Sequence, residues 1–145
     1  MVTPQQVMII DDDADDRSFF QEAITNISPV IETRVFASGV QALALFKENK
    51  VYAPDYIFLD FNMPLMNGRE CLVELKKLLQ HKVTQIIILS TSDTKEDRED
   101  AFRLGAKLFL TKPNTFQELC NMLKGVLEGS FQMLFPSQQP NMSSH

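Results

Sequence analysis

A doubly wound α/β sandwich, with five parallel strands between two helical layers, is the fold class this 145-residue sequence predicts. Three observations lead there. Apolar runs of about four residues recur at Val7 to Ile10, Tyr56 to Leu59, Ile86 to Leu89 and Leu108 to Leu110. They are continuous rather than alternating, which marks strands buried on both faces. Helix-length amphipathic segments separate them, and strict β/α alternation requires a parallel sheet with crossover helices. The runs also end in chemistry: Asp11-Asp12-Asp13 after the first, Asp60 after Leu59, Lys112 after Thr111. The carboxyl ends of strands are where open α/β sheets place their active sites.

Each element has its own signal. After the first strand, Phe19, Phe20, Ala23, Ile24 and Ile27 define the apolar face of a helix over Asp15 to Asn26. Asp15 and Asp16 are first-turn acids that suit its positive end, and Asp13 reads as a bystander or outer group of the acid cluster. The run Ile31 to Ala37 mixes polar and apolar positions, so it is the half-exposed edge strand. Ser38 precedes a helix over Gly39 to Asn49 as a cap-type residue. The third strand closes on Asp60 and turns through Met63-Pro64 to Gly68, which opens a helix to Gln80 carrying Leu72, Leu75, Leu78 and Leu79. The fourth strand ends at Ser90, and Asp93-Thr94 precedes a helix over Lys95 to Leu104. Its charged run Lys95 to Asp100 is ordinarily a solvated face. The fifth strand leads into Lys112-Pro113 and a helix over Phe116 to Leu127.

Residues 5–128 therefore read as one domain and residues 129–145 as a tail. Within the tail, Phe131 to Phe135 is apolar at helical spacing; it extends the last helix onto the body or serves as a docking or dimer segment. The polar stretch from Pro136 reads as disordered. On this length, no separate output domain is expected.

Composition excludes several function classes. Hydrophobic content of 44% and charged content of 23% are ordinary for a globular domain. A net charge of -5 with scattered lysines argues against nucleic acid as partner. No apolar run approaches the ~20 residues of a membrane span, and the start lacks a basic, apolar leader, so no membrane association and a cytoplasmic location are expected. Cys71 and Cys120 have no framework or ligand spacing and read as reduced, packed side chains. Neither His81 nor His145 is placed to act as a base, ligand or internal phosphodonor.

A sheet in the flavodoxin-like order 2-1-3-4-5 makes the first and third strands neighbours, which brings Asp11 and Asp12 beside Asp60. Carboxylates ~5 Å apart repel by roughly 3 kcal/mol per pair at an effective dielectric near 20. Three together call for protons or a hard divalent cation, and Mg2+ suits oxygen donors of this kind. Ser90 and Lys112 add a hydroxyl and an ammonium to the same edge. A carboxylate nucleophile, a cation site, an ammonium and a hydroxyl are the parts of phosphoryl transfer, with an acyl phosphate on Asp60 as product.

Taken together, Asp11-Asp12, Asp60 with Met63-Pro64 and Gly68, Ser90-Thr91, Gly105-Ala106, Phe109 and Lys112-Pro113 resemble the receiver domain of two-component response regulators, of the stand-alone type. The resemblance spans approximately residues 5 to 128. It implies that Asp60 is the phosphoacceptor and that Asp11, Asp12, Asp60 and the backbone carbonyl of Asn62 hold Mg2+ or Mn2+. It implies further that Lys112 contacts the phosphoryl group, that Ser90 moves to bind it and that Phe109 swings inward on activation. Pro64 and Gly68 would be structural, and Lys112-Pro113 would be cis. The partners implied are a sensor histidine kinase or a histidine phosphotransfer protein, an output protein and, as a further option, a second copy of the chain. The output face would be bordered by Lys95, Arg98, Phe109, Gln117 and Asn121. Two positions depart from the pattern: Thr91 fills a slot commonly Ala or Gly, and Phe109 lacks the hydroxyl of the commoner Tyr.

Two other classes compete with this reading. An aspartyl-phosphate phosphatase of the haloacid dehalogenase type would use Asp11-Asp12-Asp13 as its Asp-x-Asp. Asp15 is not the Thr or Val that reading calls for, and Asp60, Met63-Pro64 and Gly68 would then have no task. A phosphorylation-independent scaffold would not need the intact acid set and Lys112. A receiver catalyses only its own phosphorylation and dephosphorylation, so no turnover of a separate substrate is expected.

Overall fold

The computed structural model describes residues 5–63 and 66–129. Among them, five strands and five helices alternate in the order β1 (Gln6–Ile10), α1 (Ala14–Ile27), β2 (Glu32–Phe36), α2 (Gly39–Glu48), β3 (Tyr56–Asp60), α3 (Gly68–Leu78), β4 (Gln85–Ser90), α4 (Lys95–Arg103), β5 (Leu108–Thr111) and α5 (Phe116–Leu127). The strands form one parallel sheet in the order β2-β1-β3-β4-β5, as expected. Pro64 and the Phe131 to Phe135 stretch lie outside the described residues.

Side chains on successive strand positions point to opposite faces, and each face meets its own helical layer. Met8, Ile10, Ile57, Leu59, Ile88 and Phe109 pack under α2, α3 and α4. Val7, Ile9, Phe58, Ile87, Leu89 and Leu110 pack under α1 and α5. The central strands are therefore apolar through their middles, on both faces, with polar residues confined to their ends. β2 is half exposed, in keeping with its place at the edge.

Every helix starts on a side-chain cap, which satisfies N–H groups that have no partner inside the helix. The caps are Asp13, Ser38, Asn67, Thr94 and Thr115. Asp13 thus has a definite task, accepting from the N–H groups of Asp15 and Asp16 at 2.8 and 3.1 Å. One packing expectation needs correction. Phe19 is 54% exposed rather than in the core, because α1 turns Phe20, Ala23 and Ile24, with Ile27 at their margin, toward the sheet. Phe19 instead leans on Phe116 of α5, with ring centroids 6.3 Å apart.

Candidate functional site

The backbone ladder places each functional group. Beyond the assigned strand ends, the N–H of Asp11 donates to Phe36 O at 3.1 Å and that of Phe61 to Leu89 O at 3.0 Å. The N–H of Lys112 donates to Ser90 O at 2.8 Å. The first residues past the apolar runs are thereby held at the carboxyl edge of the sheet. Ile10 pairs with Leu59 and Asp60 with Leu89, so Asp11 and Asp60 leave neighbouring strands at the same level.

Among the described residues, the buried polar or charged side chains are Asp11, Asp60 and Ser90. Burying a charge is costly without a partner, so three such groups at one edge of an otherwise apolar core mark a site. Carboxylate oxygens of Asp11, Asp12 and Asp60 lie within 4.8 Å of one another, with Asp12 exposed. Lys112 Nζ sits 2.9 Å from Asp11 Oδ2, 2.8 Å from Asp16 Oδ2 and 3.6 Å from Asp60 Oδ2. The ammonium therefore crosses the sheet edge from β5 to the β1 side.

Electrostatics follow from this crowding. Burial pushes the Asp60 carboxyl up to about 6; the Asn62 N–H and Lys112 oppose this, while Asp11 and Asp12 add to it. The Asn62 N–H donates to Asp60 Oδ1 at 3.0 Å. For Lys112, burial alone would favour the neutral amine. Hydrogen bonds to Asp16 and Asp11, with their charges, outweigh that and raise its pKa above the ordinary lysine value. The amine is a cation at any physiological pH. Three hard oxygen donors around one point, one of them holding its proton unusually tightly, suit a divalent ion such as Mg2+ or Mn2+.

Ser90 Oγ donates to Asn62 Oδ1 at 2.9 Å and accepts from the Ser92 N–H at 3.1 Å. Asn62 thus engages this site through its side chain as well as its backbone N–H. Phe109 is fully buried, edge-on to Phe61 with centroids 6.1 Å apart, and carries the Arg98 guanidinium over its ring at 4.9 Å. It does not border the surface expected to bind a partner, because it points into the α2–α4 layer. Lys95, Gln117 and Asn121 are exposed on α4 and α5. Thr91 is exposed as well.

The expected cis bond at Lys112-Pro113 is not present: no described peptide bond is cis. Trans is the default even before proline, by about 0.5–1 kcal/mol. With that isomer, Lys112 already completes its ladder bond to Ser90 and both short ion pairs, so none of these contacts demands cis.

Two features escape a reading of the chain alone. Asp16 is both a first-turn acid and an ion-pair partner of Lys112, 96 residues away, and no local signal foretells that pairing. A polar chain also leads away from the site: Ser92 Oγ donates to Asp97 Oδ2 at 3.1 Å, and Asp97 is paired with Arg69. Arg69 bonds Asp100 at 2.9 Å and covers the Phe61 ring at 4.8 Å, clasping the start of α3 to the first turns of α4. Its one sequence signal is its position directly after Gly68. Arg69→Gln is expected to lower stability by about 1 kcal/mol, the usual scale of one partly exposed ion-pair and cation–π cluster. Urea unfolding is the check.

The geometry has counterparts among known proteins. A family model, the response regulator receiver domain, matches residues 7–124. Response regulator Rcp1 of Synechocystis sp. is 27% identical over 127 residues, which cover 85% of this chain and 86% of Rcp1. The solved structure of the phosphorylated cyanobacterial phytochrome response regulator RcpA is similar with a TM-score of 0.78 and 27% identity, over 96% of this chain and 100% of that one. The Mn2+-bound form of response regulator Rcp1 is similar with a TM-score of 0.70 and 26% identity, over 94% and 99% of the two chains. Other curated relatives are longer, and this chain spans 51% of one and 30% of another.

Proposed function

The chain belongs to the response regulator receiver family of two-component signalling, and from that premise we propose that Asp60 accepts a phosphoryl group from a histidine kinase or histidine phosphotransfer protein. The observation that carries this reading is the convergence of the buried Asp60, Asp11 and Ser90 with Lys112 at the carboxyl edge of β1, β3, β4 and β5.

In this reading an Asp60 carboxylate oxygen forms a bond to phosphorus as the bond from phosphorus to the donor histidine nitrogen breaks. Asp11, Asp12, Asp60 and the Asn62 carbonyl would hold Mg2+ or Mn2+, which supplies charge neutralisation for the phosphoryl oxygens. The relatives described as phosphorylated and as Mn2+-bound support both parts. Lys112, a permanent cation, meets the remaining negative charge. Ser90 leaves Asn62 and donates a hydrogen bond from its hydroxyl to a phosphoryl oxygen, and that exchange biases the loops toward a second arrangement. The chain turns over no separate substrate.

The output follows as a phosphorylation-dependent protein contact. The domain of residues 5–128 would present Lys95, Arg98, Gln117 and Asn121 on the α4–β5–α5 face to an output protein or a second copy of the chain. The phosphatase alternative finds less support, because Asp13 is engaged as the cap of α1 and not in the acid cluster. No helix among the described residues is long and apolar enough to cross a membrane.

Intact mass after incubation with acetyl phosphate tests the reading. A single phosphoryl adduct that requires Mg2+ is expected. Its absence with acetyl phosphate and with phosphoramidate would favour a scaffold that does no chemistry.

A further inference from the structure

An ammonium has three protons to donate, and Lys112 directs its two short contacts to Asp16 and Asp11 at 2.8 and 2.9 Å. Asp60 at 3.6 Å is beyond hydrogen-bonding range. The cation that should serve the reacting carboxylate is therefore drawn toward α1. Asp11 has another task in the acid cluster, whereas Asp16 lies outside that cluster. Its place is secure, because the Asp16 N–H is bonded to the capping Asp13 carboxylate at 3.1 Å. The pair is also more than a surface contact: the Lys112 side chain is only 16% exposed, although that of Asp16 is 40% exposed.

We propose that Asp16 is a positioning residue that competes with an Asp60-bound phosphoryl group for Lys112 and so weakens the site's hold on that anion. The inference rests on the receiver reading of Asp60. Two effects act in the same direction. Asp16 occupies one N–H of the ammonium, and its own negative charge flanks the same ammonium as Asp60, where further negative charge must be taken up. Replacing its carboxylate by an amide, a weaker acceptor with no charge, leaves Lys112 held chiefly by Asp11 and by its buried stem, and freer to turn to the phosphoryl group.

The test uses the full chain with Asp16→Asn and Asp16→Glu. Beryllofluoride, which mimics a phosphoryl group on a carboxylate, is titrated by NMR at saturating Mg2+, and Mg2+ is titrated separately. Asp16→Asn is expected to bind beryllofluoride about three- to tenfold more tightly, a range that allows for solvent screening of a partly exposed charge. Asp16→Glu, which keeps the charge and the reach, should behave like the wild type. Mg2+ affinity should be equal or weaker in Asp16→Asn, since a lost negative charge cannot strengthen cation binding. Equal or weaker beryllofluoride binding by Asp16→Asn overturns the inference alone and leaves the receiver reading standing. Tighter binding of both ligands overturns it too. Failure of the wild type and both variants to bind beryllofluoride overturns the receiver reading and this inference with it.

Discussion

Asp60→Asn is expected to take up no phosphoryl group from acetyl phosphate and, without metal at pH 7, to be more stable than the wild type. The first effect is all or none, because the amide offers no nucleophilic carboxylate. The second follows from the burial of the Asp60 carboxyl. The Asp60 carboxyl titrates at about 6 in the folded protein, above the roughly 3.9 of an unfolded chain. A proton thus binds the folded state more tightly, so Asp60 contributes stability that is full below about pH 4 and is lost as pH rises through about 6. The amide has no such loss. Urea unfolding in chelator should show the variant and wild type close together near pH 4, with the variant ahead by roughly 2 kcal/mol at pH 7.5. Added Mg2+ should raise the wild-type midpoint and narrow that gap. A difference that stays constant between pH 4 and pH 7.5 would show that burial does not hold the Asp60 carboxyl above its ordinary value.

Gly68→Ala is expected to cost roughly 3 kcal/mol and to weaken Mg2+ binding together with phosphorylation. A Cβ at Gly68 would lie 2.4 Å from Phe61 Cα and 3.0 Å from the Asp60 carbonyl oxygen. These are backbone atoms of the segment that carries the phosphoacceptor, and the Gly68 N–H is itself bonded to Phe61 O at 3.2 Å. Nothing can rotate aside, so either α3 lifts or the Asp60 loop moves. Gly105 is a useful contrast. There a Cβ meets the flexible end of Lys76, and the cost comes instead from a φ of +107°. Gly105→Ala should therefore destabilise without altering Mg2+ affinity. If Gly68→Ala unfolds at the wild-type urea concentration, the close approach of α3 to Phe61 is not a requirement of the fold.

Much of the site is legible in the chain because its signals are local. An apolar run that stops at Asp60 fixes the residue at a strand end whatever the rest does. Ser38 and Thr94 announce helices because capping satisfies backbone groups within three residues of the cap. The sheet order is that of flavodoxin-like doubly wound folds, and once it is adopted it places Asp11 beside Asp60 without any knowledge of side chains. The chain alone places Asp13 as a bystander or outer group of the acid cluster; acid clusters and caps use the same residue type, and the N–H groups of Asp15 and Asp16 that it accepts from make it the cap.

Distances across the sheet edge are of another kind. Whether Lys112 leans on Asp60, Asp11 or Asp16 is decided by how far α1 stands from β5, which is a sum of packing contacts spread over the α1 and α5 layer. Phe19 is exposed and Phe20 buried because the axis of α1 admits one and not the other. Arg69 meets Asp97 and Asp100 only because α3 and α4 lie side by side. Burial periodicity, caps and strand ends are short-range properties that the order of residues carries with it. The partners of long charged side chains are settled by a competition among several carboxylates of similar energy, and a few tenths of an ångström in helix placement choose between them.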